Sequence, residues 1–479
     1  MNELHAWNAT YRLQLTPSFG FDAAAGIVDY VANLGISHLY LSPIFEARPG
    51  STHGYDQTDP TRIRAELGGE AAFGRLAAAA QHAGLAILLD IVPNHMAAHH
   101  ANPWWYGLLK HGADSQFNRF FDVDWNSASG RIVLPVLGAP RSDVIKAGEL
   151  SIEPAAAGGY CVKYFDNLYP LRDDVPVPSD APTGNEIEEL LSLQHFDLMF
   201  WRDGLQRINY RRFFDISDLA GVRVEDQSVF DESHAKVLEL VARRQIAGVR
   251  IDHIDGLRDP LQYLTRLRSA LDAAGPRIPI FIEKILARDE PIPDAWPVDG
   301  ATGYEFLAAS TMLMTDAPGV ARLRRHAATT SAGAADFIEL ATACKREMAE
   351  SILEPELSRI CRAVDGCMRA AGEVHDAAAL RKAVVELSSC LTVYRTYADE
   401  TGIAAHDAER VRTAARRAAT HVPPGPTTQA LERLTDLLTL SGSFQHGPIR
   451  ASAIDVLLKW QQFTSPLAAK GVEDTSLYR

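Results

Sequence analysis

Cysteine is scarce, basic residues are in deficit and long apolar runs are missing, and each shortage removes a class of protein. The five cysteines, Cys161, Cys344, Cys361, Cys367 and Cys390, are odd in number and widely scattered. They fit neither a disulfide framework nor a metal clip and favour reduced thiols in a cytoplasm. Lysine and arginine number 47 against 61 acids, a net charge of −14. That balance argues against nucleic acid or an anionic membrane as partner, because both reward basic surface. A neutral ligand is indifferent to the sign. No apolar run approaches bilayer-spanning length, and residues 1–10 lack the basic-then-apolar pattern of a secretory signal. No G-x-G-x-x-G turn follows the first apolar run, so a dinucleotide fold has no support. There is no internal repeat.

What is present is an ordinary globular composition, 47% hydrophobic and 23% charged. A length of 479 residues exceeds one compact core and implies two or three domains, or one barrel with large insertions. Short apolar, β-rich runs occupy residues 9–15 (ATYRLQL), 38–44 (HLYLSPI), 86–92 (AILLDIV), 248–254 (GVRIDHI) and 279–286 (PIFIEKIL). Amphipathic helical stretches at 23–33 and 71–83 separate the first three, the pattern of parallel β/α units. Each run ends in polar residues, and in a (β/α)8 barrel all strand C-termini meet at one face, so those groups would converge. Residues 96–246, rich in aromatics and proline, read as a subdomain inserted between strands three and four. Residues 307–445 turn Ala-, Arg-, Glu- and Leu-rich and read as a helical insertion. Residues 446–479 regain mixed character, as if returning toward the barrel. Residues 1–95 and 247–306 supply five or six β/α units where a closed barrel needs eight. The expected fold class is therefore α/β, an incomplete TIM barrel with strands seven and eight missing.

Four segments carry candidate chemistry. In GVRIDHIDGL, Arg250 and Asp252 stand at i and i+2 on a strand and share a face. Arg250 can hold Asp252 ionised and oriented, as a carboxylate nucleophile requires; a buried structural ion pair is the plainer alternative. Glu283 closes an apolar strand, where burial raises a carboxyl pKa toward that of a general acid; the alternative is an exposed acid paired with Lys284. DIVPNH places Asp90 and His95 at a strand mouth, or forms a turn cap around Pro93 and Asn94. His95 with His99 and His100 suggests a metal cluster, but no acid sits between them as in a metalloprotease helix, and no metal is expected. In STHGYD, Tyr55 offers a ring for the apolar C–H face of a sugar and His53 and Asp56 offer groups for its hydroxyls, with a polar turn as the alternative.

Taken in order on successive strands, Asp-x-x-x-Asn-His, Arg-x-Asp and Glu resemble the first three conserved regions of the α-amylase clan, glycoside hydrolase family 13. The resemblance sharpens to the maltooligosyltrehalose synthase family on TYRLQL (10–15), SPIFEARPGSTHGYDQTDP (42–60), NYRRFFDISDLAGVRVED (209–226), GVRIDHIDGLRDP (248–260), ATGYEF (301–306) and KGVEDTSLYR (470–479). Ala301 and Glu305 look like mild substitutions of Thr and Asp.

That resemblance implies catalysis by Asp252 as nucleophile and Glu283 as general acid/base. It implies substrate contacts from Tyr55, His53, Asp56, His95, Arg250, Asp90, His253 and Lys470, with no cofactor. The implied reaction converts the reducing-end α-1,4 bond of a malto-oligosaccharide into an α,α-1,1 bond by retaining double displacement, with the carboxyl groups about 5–5.5 Å apart. A functional partnership with a maltooligosyltrehalose trehalohydrolase follows. The clan's third carboxylate, in a His-Asp pair on strand seven, falls beyond KGVEDT. His375-Asp376 and His406-Asp407 lie in Ala-rich helical surroundings and are rejected as substitutes; Glu473 and Asp474 are poor ones. This chain alone is therefore expected to show little or no activity. The rival readings are another clan hydrolase or transglycosidase, and an inactive glucan-binding fragment.

Overall fold

The computed structural model describes residues 7–156, 158–177, 182–288, 290–330 and 336–479. Residues 1–6, most of the segment read for a leader, lie outside the described residues. The chain divides into two compact units: Met1–His253, Tyr263–Phe281 and Pro297–Asp299 in the first, and Ile254–Gln262, Ile282–Trp296 and Gly300–Arg479 in the second. No helix among the described residues is long and apolar enough to cross a membrane.

The five apolar runs become five strands: β1 (Thr10–Leu13), β2 (His38–Leu41), β3 (Ala86–Ile91), β4 (Gly248–Ile251) and β5 (Ile280–Ile282). β1 pairs parallel with β2, β2 with β3 and β3 with β4. Strand order follows chain order through β5 to the two-residue β6 (Gly300–Ala301). It never reverses, as it would at the switch point of a doubly wound sheet, and the sheet is a curled half-barrel. β3 is buried at all six positions because elements cover both faces, which is why its sequence runs apolar without alternation. The crossover before it uses α1 (Gly69–His82), which buries Ala72, Phe73, Leu76 and Ala80 on one stripe. α2 (Gln227–Ala242), capped by the Asp226 carboxylate on the Ser228 N–H, precedes β4.

The segment between β3 and β4 has its own core. Trp104, Trp105, Phe120, Phe121 and Tyr210 pack there with the apolar side chains of Ile132–Leu137 and Phe196–Phe200, which pair in parallel. A three-stranded antiparallel sheet, Leu150–Pro154, Tyr160–Tyr164 and Asn167–Pro170, lies beside them in sequence. The end of the segment returns to the mouth of β3, where Ile216–Gly221 pairs antiparallel with His95–Ala97.

In the second unit, α3 (Phe337–Glu350), α4 (Glu354–Ala370), α5 (Ala377–Cys390), α6 (Ala405–Ala419), α7 (Pro426–Leu438) and α8 (Ile449–Ala468) are the main helices. All six contribute to one apolar core or pack against it. The stretch expected to regain mixed character is helical instead. α8 buries Trp460, whose Nε1 donates to Ser388 Oγ at 2.9 Å, and its apolar positions 453, 457, 460, 463 and 467 face the same core as the preceding helices. The segments 254–262 and 282–296 cluster with these helices for a polar reason. Arg395, fully buried, donates to the carbonyls of Asp255 and Leu257, and Tyr397 donates to the Asp255 carboxylate.

Candidate active site

Parallel pairing sets the site's first layer. The register places Arg12 beside Tyr40 and Arg250 beside Asp90, and Arg12 lies over the Tyr40 ring at 4.4 Å. The other three side chains, joined by Tyr55, meet at Asp90, which is fully buried. Its Oδ2 accepts from Tyr55 Oη at 2.6 Å, Tyr40 Oη at 3.1 Å and Arg12 Nη1 at 3.2 Å, while Oδ1 accepts from Arg250 Nη1 at 2.8 Å. An isolated carboxylate in that position would carry a large desolvation penalty; two guanidiniums and two phenols offset it. Burial and then the Asp90 charge raise the Tyr55 and Tyr40 phenols above their ordinary range, so both remain donors.

Arg250 Nη1 also reaches Asp252 Oδ1 at 2.6 Å. The backbone of Asp252 continues the ladder through its N–H to the Ile91 carbonyl at 2.9 Å. The next residue, His253, takes φ +48, and Phe214, whose ring packs edge-on against it at 4.9 Å, takes φ +50. Non-glycine residues held in the left-handed region concentrate at functional sites.

The STHGYD loop is shaped by Gly54. Its φ is +80, and a Cβ there would sit 2.6 Å from the Pro43 carbonyl oxygen. The turn delivers Tyr55 to Asp90 and Arg12, whose Nη2 donates to Tyr55 Oη at 2.8 Å. His53 is half exposed and accepts from the Tyr55 N–H, while Asp56 accepts from Ser51 Oγ at 2.5 Å. Gln14 Nε2 ties the end of the first run to this loop through the Thr52 carbonyl. His95 is buried, its Nε2 has no well-aligned hydrogen-bond partner, and burial, with His253 and Arg211 nearby, holds its imidazole well below the usual range and hence neutral.

Asp90, Arg250, Asp252 and Tyr55 are thus brought into one hydrogen-bonded cluster, with His53 and Asp56 in the adjoining loop and His95 and His253 beside it through Phe213. Glu283 and Lys470 belong to the second unit. Glu283 is half-buried and accepts from Tyr304 Oη at 3.5 Å. Lys284, named as the alternative partner for Glu283, is buried and reaches Asp255 at 3.4 Å and Glu290 at 3.2 Å. Lys470 pairs with Asp474 at 3.0 Å.

Residues 24–141 match the family described as alpha amylase, catalytic domain. Over 486 aligned residues the chain is 36% identical to a maltooligosyl trehalose synthase of Mycobacterium tuberculosis, covering 98% of this chain and 56% of that one. A solved maltooligosyltrehalose synthase from Arthrobacter ramosus superposes with a TM-score of 0.84 at 33% identity, over 98% of this chain and 56% of its own. A Sulfolobus tokodaii structure, described as a hypothetical maltooligosyl trehalose synthase, gives 0.76, also at 33% identity, over 98% and 56%. The chain is a relative of the maltooligosyltrehalose synthases. It spans about half the length of the relatives it matches.

Three residues at or beside the cluster escaped the sequence reading: Arg12 and Tyr40 within it, and Arg211 next to it. The signal for the first was available, since Arg12 and Gln14 repeat the i, i+2 logic of Arg250 and Asp252. Arg211 donates to Asn94 Oδ1 at 2.7 Å and to Asp122 at 3.3 Å, so it braces the DIVPNH turn; only long-range folding shows this. The rejected His-Asp pairs have structural duties. Asp376 caps α5 by accepting from the Ala379 N–H, and Asp407 is buried, accepting from the Tyr397 N–H at 2.7 Å and Arg410 at 2.8 Å. The His99 and His100 rings lie tilted against each other at 4.0 Å, and burial lowers the His99 pKa to about 4. Among the described residues, Glu386, Cys390 and His421 have the mutual spacing of metal ligands. Arg346 donates to both Glu386 and His421, so a guanidinium already serves these groups.

Proposed function

We propose that this chain carries the nucleophile and general acid/base of a maltooligosyltrehalose synthase reaction, on an amylase-type barrel with residues 96–246 and 307–445 as insertions. The observation that carries it is the Asp90–Arg250–Asp252–Tyr55 cluster, in a chain similar over 98% of its length to such synthases. Glu283 protonates the last α-1,4 oxygen of a malto-oligosaccharide. Asp252, kept ionised and oriented by Arg250, attacks the anomeric carbon and forms a covalent glycosyl-enzyme. The released glucose turns within the site, and its anomeric hydroxyl, deprotonated by Glu283, attacks in turn. Two inversions give an α,α-1,1 bond. Asp90 acts through Arg250 and Tyr55, since protein donors engage both of its oxygens. Tyr55 stacks on the sugar, and His95, neutral and with a buried Nε2, offers it a hydrogen bond, with His53, Asp56, His253 and Lys470 as further contacts.

A product ending in trehalose is the substrate for a trehalohydrolase, the functional partner of this reading. The five free thiols support a reducing, cytoplasmic setting. The decisive experiment is incubation of this chain with maltopentaose, at enzyme concentrations high enough to reveal the slow turnover expected of it, and analysis for a trehalose-terminated product. Its formation, and its loss in Asp252→Asn, supports the proposal; free glucose and shorter maltodextrins without that product would instead show a hydrolase.

A further inference from the structure

The insertion carries a second cleft, built from residues that take no part in the Asp90 cluster. It lies between the helices Arg141–Lys146 and Gly184–Ser192 and the strand Phe196–Phe200, with a volume of about 540 Å³, within the usual range for small-molecule sites.

Two kinds of polar group line it. Arg141 is clamped, with Nε on Glu188 at 3.0 Å, Nη2 on the same carboxylate at 2.5 Å and Nη1 on Asp197 at 2.6 Å. Arg131 also holds Asp197, at 3.2 Å. These carboxylates are therefore fixed in place and retain free lone pairs. Asn185, Asp203 and Arg207 are exposed, and their side chains have no protein partner among the described residues.

The charges decide the ligand class. Arg141, Lys146 and Arg207 balance Glu188, Asp197 and Asp203, so the wall is neutral overall and favours neither an anion nor a cation. Fixed acceptors beside unengaged donors suit groups that both give and take a hydrogen bond, as hydroxyls do. Ile145, Met199 and Phe200 add apolar lining of the kind a pyranose C–H face covers. We propose that this cleft is a second binding site for α-1,4-glucan, holding a stretch of chain away from the reacting end. The choice of glucan among neutral polyols rests on the function proposed above.

Electrophoresis of the 479-residue chain in native gels containing glycogen tests it. The unsubstituted chain is expected to be retarded. Asp203→Ala/Arg207→Ala is expected to weaken apparent affinity roughly tenfold, as loss of two hydrogen-bonding side chains should, and Phe200→Ala to weaken it through the apolar lining. Both changes are to be combined with Asp252→Asn to prevent turnover. No retardation of the unsubstituted chain, or equal retardation of both cleft variants, overturns the proposal. Release by inorganic phosphate instead of maltoheptaose shows an anion site and also overturns it. Cleft-dependent retardation without any trehalose-terminated product leaves the cleft standing while the proposed reaction falls. Product formation with unaffected cleft variants does the reverse.

Discussion

Arg250 and Asp252 are joined at 2.6 Å through the same Nη1 that engages Asp90 at 2.8 Å. One nitrogen thus couples a fully buried carboxylate to the candidate nucleophile. Replacing Arg250 with Ala leaves two nearly buried acids without their shared cation, at a cost of about 3–5 kcal/mol in stability. Arg250→Lys restores charge but not the planar fork. It should regain much of that stability while turnover remains roughly 10²–10³-fold down, the range for loss of one electrostatic group. Urea unfolding beside maltopentaose turnover separates the two effects; a Lys variant with normal turnover would leave Arg250 only a structural part.

Tyr55 has two separable features. Tyr55→Phe removes the hydroxyl between Arg12 and Asp90 and should cost about 1 kcal/mol of stability with the ring's contribution to sugar binding retained. Tyr55→Ala removes the ring as well and should weaken maltopentaose binding at least several-fold further. Calorimetric titration of both variants in the Asp252→Asn background makes the comparison, and equal affinity in the two would rule out stacking.

Much of the site could be read from the sequence because it rests on local periodicity. β1 to β5 were marked by apolar runs, and the alternation of a strand put Arg250 and Asp252 on one face before any fold was known. Asp90 as the meeting point of Arg12, Tyr40, Tyr55 and Arg250 could not be read in this way. Its partners come from four separated segments: parallel register brings Arg12, Tyr40 and Arg250 together, and the Gly54 turn delivers Tyr55. The helical character of α8 was not legible because Gln461, Thr464 and Ser465 interrupt its apolar pattern. Those polar groups are buried and mostly satisfied within the helical core, as where Gln461 accepts from Thr396 and the Ala398 N–H.

Stability should fall in acid for a reason that can be assigned. His234 is fully buried, hydrogen-bonds the Phe230 carbonyl and Tyr263 Oη, and burial lowers its pKa to about 4. The unfolded chain, with a histidine pKa of about 6.5, binds the proton more readily. Its contribution is therefore complete above about pH 6.5 and is lost as pH falls toward 4, at up to about 1.4 kcal/mol per pH unit. Urea unfolding between pH 7 and pH 4.5 should show a shallower decline in His234→Gln. An identical slope would assign the acid sensitivity to His95 and other groups.

Asp376 and Asp407 offer a check on the rejected His-Asp pairs. As an N-cap, Asp376→Ala should cost about 1 kcal/mol, and Asp407→Ala more, since the buried Asp407 carboxylate serves both the Tyr397 N–H and Arg410. Neither should alter turnover per folded molecule. A drop of a hundredfold or more in a variant whose unfolding curve is unchanged would restore that residue as a catalytic carboxylate.

Lys284 sits next to Glu283 yet serves the second unit's interior. It is 1% exposed, pairs with Asp255 and Glu290, both also buried, and lies 5.3 Å from the Tyr397 ring centre. Lys284→Ala would leave two buried acids unpaired and should destabilise by about 3–5 kcal/mol. Lys284→Met keeps the aliphatic stem, and adding Asp255→Asn removes one of the stranded charges. If the ion pair is the main term, that double variant should be more stable than Lys284→Met alone, a coupling a double-mutant cycle reads directly. The same pairing fixes the backbone that carries Glu283. Among variants that remain folded, kcat should therefore fall with KM little changed, because the acid is displaced while sugar contacts made elsewhere persist.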